Sequence, residues 1–334
     1  MFMPPKEKQM QLIDIREALR QALNEEMERD ENVFIIGEEV AEYNGAYKIT
    51  KGMLDKWGPK RVYDTPICES AFAGLSVGAA MCGLRPVVEF MSFNFSFVAA
   101  DQIISTAAKN YYMSGGRFPV PIVFRGPNGT AAQVSCQHSH CVEAMYSNFP
   151  GLLVVVPSNA YNAKGLLKSA IRNNNPVLFL ENELSYGDKM EIPVEEYLIP
   201  LGKANIVKQG KDVTIVSHGR MVNLANQAAQ ELAKQGIQVE LIDLQSIKPL
   251  DITTIANSVR KTNSCVLVEE GHIFGGICAE VGFQIMEHCF DFLDAPLVRV
   301  AQRETPMPYA KEMERETLPT VGKITAAVKK VKNL

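Results

Sequence analysis

Apolar residues recur along this chain at two spacings, and the spacings alternate. Residues 14–29 follow a helical period. Ile15, Leu19, Ala22, Leu23 and Met27 fall on one face, and Asp14 with Glu17 makes a capping-box-like start. Residues 33–36 are a continuous apolar run ending at Gly37, as in a buried strand. Similar runs at 86–90, 120–124, 152–156 and 176–180 alternate with helical stretches at 97–112 and 159–172. Pro121 either demotes its strand or marks its start. Residues 182–203 break the rhythm with Gly187, Pro193 and Pro200 and read as a connecting segment. Alternation then resumes, with strands at 213–216, 239–242, 265–268 and 297–300. Helices at 220–234, 251–260, 276–289 and 320–331 separate and close them.

Short apolar strands separated by helices imply right-handed crossovers and parallel sheets. The expected class is therefore α/β with two doubly wound domains, 1–190 and 204–334, joined by a linker at 191–203. Ligands of such sheets sit beyond the carboxyl ends of the strands. One stretch stands out in that light, Asp64-Thr65-Pro66-Ile67-Cys68-Glu69 and the almost wholly apolar run to Leu84. Pro66 disfavours helix at Thr65, so the helix starts after it. Glu69 then lies in the first turn, where the helix dipole favours a carboxylate. Gly74 and Gly78 share a face that another backbone can approach closely. The run is shorter than the roughly 20 residues that cross a bilayer. Taken alone, it describes a buried core helix as well as a chemical site.

Composition is that of an ordinary globular protein, 46% hydrophobic and 22% charged. A net charge of -4 without any basic block argues against nucleic acid as the main partner. Lys323, Lys329, Lys330 and Lys332 fit the end of a final helix, where cations are favourable. The seven cysteines form no C-x-x-C pair, and most have apolar sequence neighbours. This points to a reducing compartment and small buried thiols. Residues 1–11 carry neither an apolar signal core nor an Arg-rich presequence. The expected location is a bacterial cytoplasm, or a mitochondrial matrix or plastid stroma after removal of a presequence.

No G-x-x-x-x-G-K-[ST], no G-x-G-x-x-G after a strand and no G-x-S-x-G is present, which disfavours nucleotide binding and the hydrolase elbow. Residues 125–140 form a long aperiodic stretch with Gly126, Pro127, Asn128 and Gly129, the kind of loop that carries function. Cys136, His138, His140 and Cys141 crowd its end. Their spacing matches no usual zinc pair, so a binding or catalytic histidine is the better reading.

Several stretches together resemble one family. They are Asp64-Thr65-Pro66-Ile67-x-Glu69, Gly83-x-Arg85-Pro86-x-x-Glu89-Phe90, Tyr112-Met113-Ser114-Gly115-Gly116, residues 121–129, Gln137-His138-Ser139 and Pro306-Met307-Pro308-Tyr309-Ala310. The family is the beta subunits of thiamine-diphosphate-dependent 2-oxo acid dehydrogenases, with the pyruvate dehydrogenase type closest. The resemblance runs from about Gln11 to the end.

It implies a pyrimidine-binding module followed by a transketolase C-terminal-type domain. It implies that Glu69 hydrogen-bonds N1′ of the aminopyrimidine, and that Phe95 and Met91 pack on that ring. Apolar neighbours such as Phe72 would desolvate Glu69 and ready it to share a proton. His138 matches the family's active-site histidine, which contacts substrate or intermediate and supplies a proton when the acetyl group passes to lipoamide. His140 has no such counterpart and is expected at the surface or behind the site. Main-chain carbonyls at Ile122, Ala170, Ile171, Asn173 and Asn175 match a potassium site.

The family's enzymes anchor the diphosphate through Mg²⁺ on a Gly-Asp-Gly…Asn motif, and this chain has only Gly187-Asp188 followed by Lys189. Half a site implies an alpha subunit that holds the Mg²⁺, an α₂β₂ heterotetramer, and a close helix contact at Gly74 and Gly78. Asp294 and the carboxylate of Leu334 match contacts to a dihydrolipoyl acetyltransferase core. The implied activity is oxidative decarboxylation of pyruvate with reductive acetylation of lipoyl groups. Alternatives are a branched-chain 2-oxo acid or acetoin dehydrogenase beta subunit, and a non-catalytic scaffold.

Overall fold

The computed structural model describes residues 9–334. The reading of residues 1–11 as free of a targeting segment lies mostly outside that range. Two sheets carry the fold. The larger has seven strands in the order Ser246–Lys248, Leu153–Val155, Val177–Glu181, Val123–Pro127, Arg85–Glu89, Val33–Gly37, Val62–Asp64. All its pairings are parallel except that of Ser246–Lys248 with Leu153–Val155. The smaller has the order Val298–Gln302, Cys265–His272, Val213–Ser217, Val239–Asp243, Asn205–Lys208, with only the last antiparallel. The inner strands are buried throughout because helices cover both faces, and most of their residues are apolar, with Arg125, Glu240 and Asp243 among the buried exceptions.

The helices begin where their caps stand. Asp14 accepts the Glu17 N–H at 2.8 Å and opens the Ile15–Arg29 helix, and Asn159 accepts the Asn162 N–H at 2.9 Å and opens Ala160–Arg172. These two helices pack together over one face of the large sheet. The core on the other face joins Phe72, Val77, Phe90 and Phe124 to Val216, Ile242, Leu267 and Ile285 of the second domain. One hydrophobic core therefore spans both domains.

Several elements depart from the sequence reading. The strand expected at 120–124 runs from Val123 to Pro127 in the middle of the sheet, so Pro121 precedes it rather than weakening it. The single helix expected at 97–112 is three pieces. They are a 3₁₀ turn at Phe93–Phe97, a π-helix at Gln102–Ala107 and an α-helix at Ala108–Met113. Hydrophobic spacing over sixteen residues averages across such changes of pitch.

The segment 182–203 holds a 3₁₀ turn, Glu183–Ser185, and the strand Lys189–Pro193, paired antiparallel with Met10–Asp14. Only Ile192 of that strand is fully buried, too little to signal a strand. Cys265, Cys278 and Cys289 are buried, but Cys68, Cys82 and Cys136 are exposed, and all seven are free thiols. Cys68 and Cys82 are the caps of one helix, at its two ends rather than on its buried face. The glycine face is divided. Gly74 lies against the Gln102 side chain of the same chain, while among the described residues nothing comes within 4 Å of a Cβ built at Gly78. Lys329 and Lys330 occupy the last turn of the Val321–Val331 helix, as expected.

Candidate active site

The parallel strands of the large sheet end at one edge. Gly37 is level with Asp64 and Glu89, and Pro127 with Glu181. The loops that leave this edge carry Glu38, Glu69, Met91, Phe95 and His138. Two of these loops are tied together. Asp64 accepts the N–H groups of Ala41 at 2.7 Å and Glu42 at 3.0 Å, and Thr65 N donates to the Gly37 carbonyl at 3.0 Å. The motif's aspartate thus fixes where the next helix starts.

That helix is Glu69–Met81, with Glu69 as its first residue and only 7% exposed. Its inner face is Phe72, Ala73, Ser76, Val77 and Ala80, and the Ser76 hydroxyl donates to the Phe72 carbonyl at 2.7 Å. Its outer face is Ala71, Leu75, Gly78 and Cys82, all exposed. The run is therefore not wholly a core helix; half of it is an apolar surface.

Glu38 was not singled out by its sequence, where it reads as one of three acids in a polar loop. In the structure it is buried, its Oε1 has no hydrogen-bond partner among the described residues, and its pKa is pushed up to about 7. Burial is the larger cause and the charge of Glu69 the second. Its position immediately after a strand ending in glycine was the available signal.

Phe95 projects from the 3₁₀ turn with 37% of its surface exposed, and its ring meets that of His138 edge-on at 5.3 Å. Met91, just before this turn, is half-buried. His140 packs on Phe97 at 5.4 Å, and its Nδ1 and main-chain N–H both reach Asn94 Oδ1, at 2.6 and 2.9 Å. Burial first, then His272 and His138, lower its pKa. Among the described residues no group of three or more His, Cys, Asp or Glu is placed to hold a metal, Cys136–Cys141 included.

Beneath this edge Arg125 is fully buried between two acids. Its Nε and Nη2 reach Glu181 at 2.6 and 2.5 Å and its Nη1 reaches Glu89, while Tyr186 donates to Glu181 at 2.6 Å. Arg125 and Glu89 both lie in the stretches that carry the family resemblance, yet nothing in the sequence signals that they pair.

The five positions matched to potassium group around the C-terminal end of the Ala160–Arg172 helix and the strands beside it. The carbonyl of Ile122 accepts Val177 N at 2.9 Å and that of Ala170 accepts Asn173 N at 3.1 Å. Those of Ile171 and Asn173 accept Arg85 Nη1 at 3.0 and 3.1 Å, and Asn175 N donates to Asn173 Oδ1 at 2.9 Å. A guanidinium already uses two of the five carbonyls. Asp294 and Leu334 are both exposed.

The residues present fit one half of a thiamine diphosphate site. A buried carboxylate opens a helix beside a second buried carboxyl, and an exposed aromatic ring stands on a loop that leaves the same sheet edge. Among the described residues no group of three or more His, Cys, Asp or Glu is placed to hold the diphosphate's metal. Gly187 and Asp188 lie in the turn before Lys189–Pro193, where Asp188 contributes its carbonyl to Ile15 N at 3.2 Å.

Comparison with known proteins agrees. Residues 11–189 match the transketolase pyrimidine-binding domain and residues 202–324 the transketolase C-terminal domain. In structure the chain is similar to a split-gene transketolase, an inactive beta4 tetramer. The TM-score is 0.78 at 23% identity, over 96% of this chain and 99% of that one, which speaks for the fold. These two domains define the class, a transketolase-type chain.

Within it, the chain is 54% identical to the mitochondrial pyruvate dehydrogenase E1 component subunit beta of Homo sapiens, over 96% of this chain and 91% of that one. It is 53% identical to the Rhizobium meliloti (strain 1021) subunit beta, over 97% and 70%. It is 54% identical to the Arabidopsis thaliana mitochondrial subunit beta-1, over 95% and 88%. The chain belongs to the pyruvate dehydrogenase E1 component beta subunit family. Among the described residues no helix is long and apolar enough to cross a membrane.

Proposed function

We propose that this chain forms the pyrimidine half of a thiamine diphosphate site acting on pyruvate, completed by an alpha subunit in an α₂β₂ assembly. The carrying observation is buried Glu69 opening its helix beside the buried Glu38, at an edge whose loops also bring Phe95 and His138 into edge-on contact. The cofactor, when bound, supplies the electron sink for decarboxylation. Glu69 holds a proton against the aminopyrimidine N1′. Phe95 and Met91 bound the ring. His138 stands at the open side, where substrate and the lipoyl acceptor arrive, and its imidazole gives a proton to the acceptor during acyl transfer. The alpha subunit holds the Mg²⁺. It covers the outer face of the Glu69–Met81 helix, where Leu75 is 61% exposed and Gly78 is open.

The carbonyls of Ile122, Ala170, Ile171, Asn173 and Asn175 hold K⁺ in this proposal. Oxygen ligands suit a hard cation, and the negative end of the Ala160–Arg172 helix adds to the attraction. Arg85 shares two of these oxygens, since a carbonyl has two lone pairs. Asp294 and the Leu334 carboxylate dock a basic domain of the acetyltransferase core. The compartment follows the source, bacterial or organellar.

The test is Glu69→Gln in the reconstituted tetramer. Assembly is expected to be intact and turnover abolished; near-normal turnover would identify a scaffold instead. Assays of wild type on pyruvate, 2-oxoisovalerate and acetoin fix the substrate, with pyruvate expected to be strongly preferred.

A further inference from the structure

The loop that presents His138 leaves the strand Val123–Pro127 and returns at the short helix Glu143–Ser147. Its base is closed within the first domain. Asn128 Oδ1 accepts Val142 N at 3.0 Å, Asn128 Nδ2 donates to Glu143 Oε1 at 2.8 Å, and Gly129 N donates to the His140 carbonyl at 2.8 Å. Beyond that base two carboxylates of the second domain grip its main chain. Glu270, in the strand Cys265–His272, accepts Thr130 N on Oε1 at 2.5 Å and Asn182 Nδ2 on Oε2 at 3.3 Å. Glu314, in the helix Lys311–Thr317, accepts Gln133 N at 2.9 Å.

We propose that Glu270 is a positioning residue for His138, a carboxylate of the second domain that sets the loop from which the histidine reaches the site. The proposal rests on the role given above to His138. The bond is shielded from solvent, with Glu270 only 6% exposed; burial raises its pKa, and the Arg220 charge and the Thr130 hydrogen bond oppose that shift. The fit is close. Gly129 has φ +79°, and a Cβ there would stand 2.9 Å from Glu270 Oε1. The loop can come this near only because that position has no side chain. Seven residues separate Thr130 from His138, and just past the histidine the Ser139 hydroxyl donates to the Ser135 carbonyl at 2.7 Å, closing a turn around it. This turn and the bond from Gly129 N to the His140 carbonyl tie both sides of the histidine to the position of Thr130. The second domain becomes part of the active site without touching substrate.

The test uses the full chain reconstituted with its alpha subunit. Amide exchange over residues 129–141 is measured for wild type and E270A. Decarboxylation with an artificial electron acceptor and acyl transfer to a lipoyl domain are measured for wild type, E270A, H138A and the double variant. E270A is expected to speed exchange of the loop and to reproduce the H138A pattern across the two assays. The acyl-transfer loss should be about tenfold or more, since small misplacements of a reacting group cost that much, with KM for pyruvate nearly unchanged. The double variant should be no slower than H138A. E270Q keeps an acceptor oxygen and should restore most of the rate.

If E270A does not assemble, G129A displaces the same carboxylate and should show the same pattern. Loop exchange unmoved in E270A, losses that multiply in the double variant, or an E270Q as slow as E270A would each overturn the proposal alone. Full activity of H138A would overturn the role given to His138 together with everything built on it.

Discussion

The carboxyl of Glu38 lies close enough to Glu69 for the charge on one to raise the pKa of the other, and burial pushes Glu38 to about 7. Glu38 is thus protonated through most of the acid range and ionises near neutrality, against the charge of its neighbour. Glu69→Gln removes that charge, and the Glu38 pKa should fall. It should stay above the ordinary carboxylate value, because burial is the larger cause. A carboxyl NMR titration of the two proteins measures this. An unchanged Glu38 midpoint would mean that the pair does not interact.

Arg125 is held by two buried acids, so its loss leaves both uncompensated. Arg125→Met is expected to destabilise the chain by about 3–5 kcal/mol, the cost of breaking one side of a buried ion pair. Urea unfolding reads this directly. Glu89 ends the strand next to the one that leads into Glu38, so residual activity should fall as well. A stability change under about 1 kcal/mol would show that the triad is not what holds the edge.

Asp243 is fully buried and its pKa is pushed up to about 7 by burial, against hydrogen bonds from Ser158 at 2.6 Å, Asn162 at 2.8 Å and Gln245 N at 3.1 Å. A raised carboxyl pKa stabilises the folded state below the unfolded value of 3.8, and that contribution is lost as pH rises through about 7. Between pH 5 and 8 the loss is on the order of 2 kcal/mol. Asp243→Asn should flatten the slope of stability against pH in this window. A parallel curve for the variant would remove Asp243 from the account.

Gly126 faces the Phe90 main chain, and a Cβ there would stand 2.5 Å from the Phe90 oxygen. Gly126→Ala must push apart the strands Val123–Pro127 and Arg85–Glu89 directly below Met91. Overpacking of this kind costs roughly 1–3 kcal/mol. The melting temperature should drop and the affinity for thiamine diphosphate in the reconstituted enzyme should fall with it. An alanine variant with unaltered melting would show that the strands yield without strain.

Cys82 is exposed at the end of the helix that starts with Glu69, on the same side as Leu75 and Gly78. Maleimide should label it in the isolated chain, and addition of the alpha subunit should protect it. Equal labelling in the free and assembled states would place the subunit boundary elsewhere.

Much of this fold is legible in the chain's hydrophobic spacing because its inner strands are buried on both faces. Runs such as Val213–Ser217 and Val239–Asp243 are short and apolar enough to read as strands, and the helix at Ile252–Thr262 begins at the Asp251 cap. What escapes is whatever carries little apolar area. Ser246–Lys248 and Lys189–Pro193 are strands by virtue of their partners, Leu153–Val155 and Met10–Asp14, which lie far away in sequence. The site follows the same division. Glu69 stands out because a proline and an apolar run frame it. Glu38 does not, since burial of one acid among three is decided by the Asp64 side chain that folds its loop back. Glu270 is invisible for the same reason, its partner Thr130 being 140 residues distant.

The strand Ser246–Lys248 belongs by sequence to the second half of the chain and by hydrogen bonding to the first sheet. Severing the polypeptide near residue 203 would therefore not yield two tidy halves. The front fragment would present the naked backbone of Leu153–Val155, a template for promiscuous strand addition and clumping. Anyone wishing to express the pyrimidine-binding part alone would have to supply a surrogate for that missing ribbon.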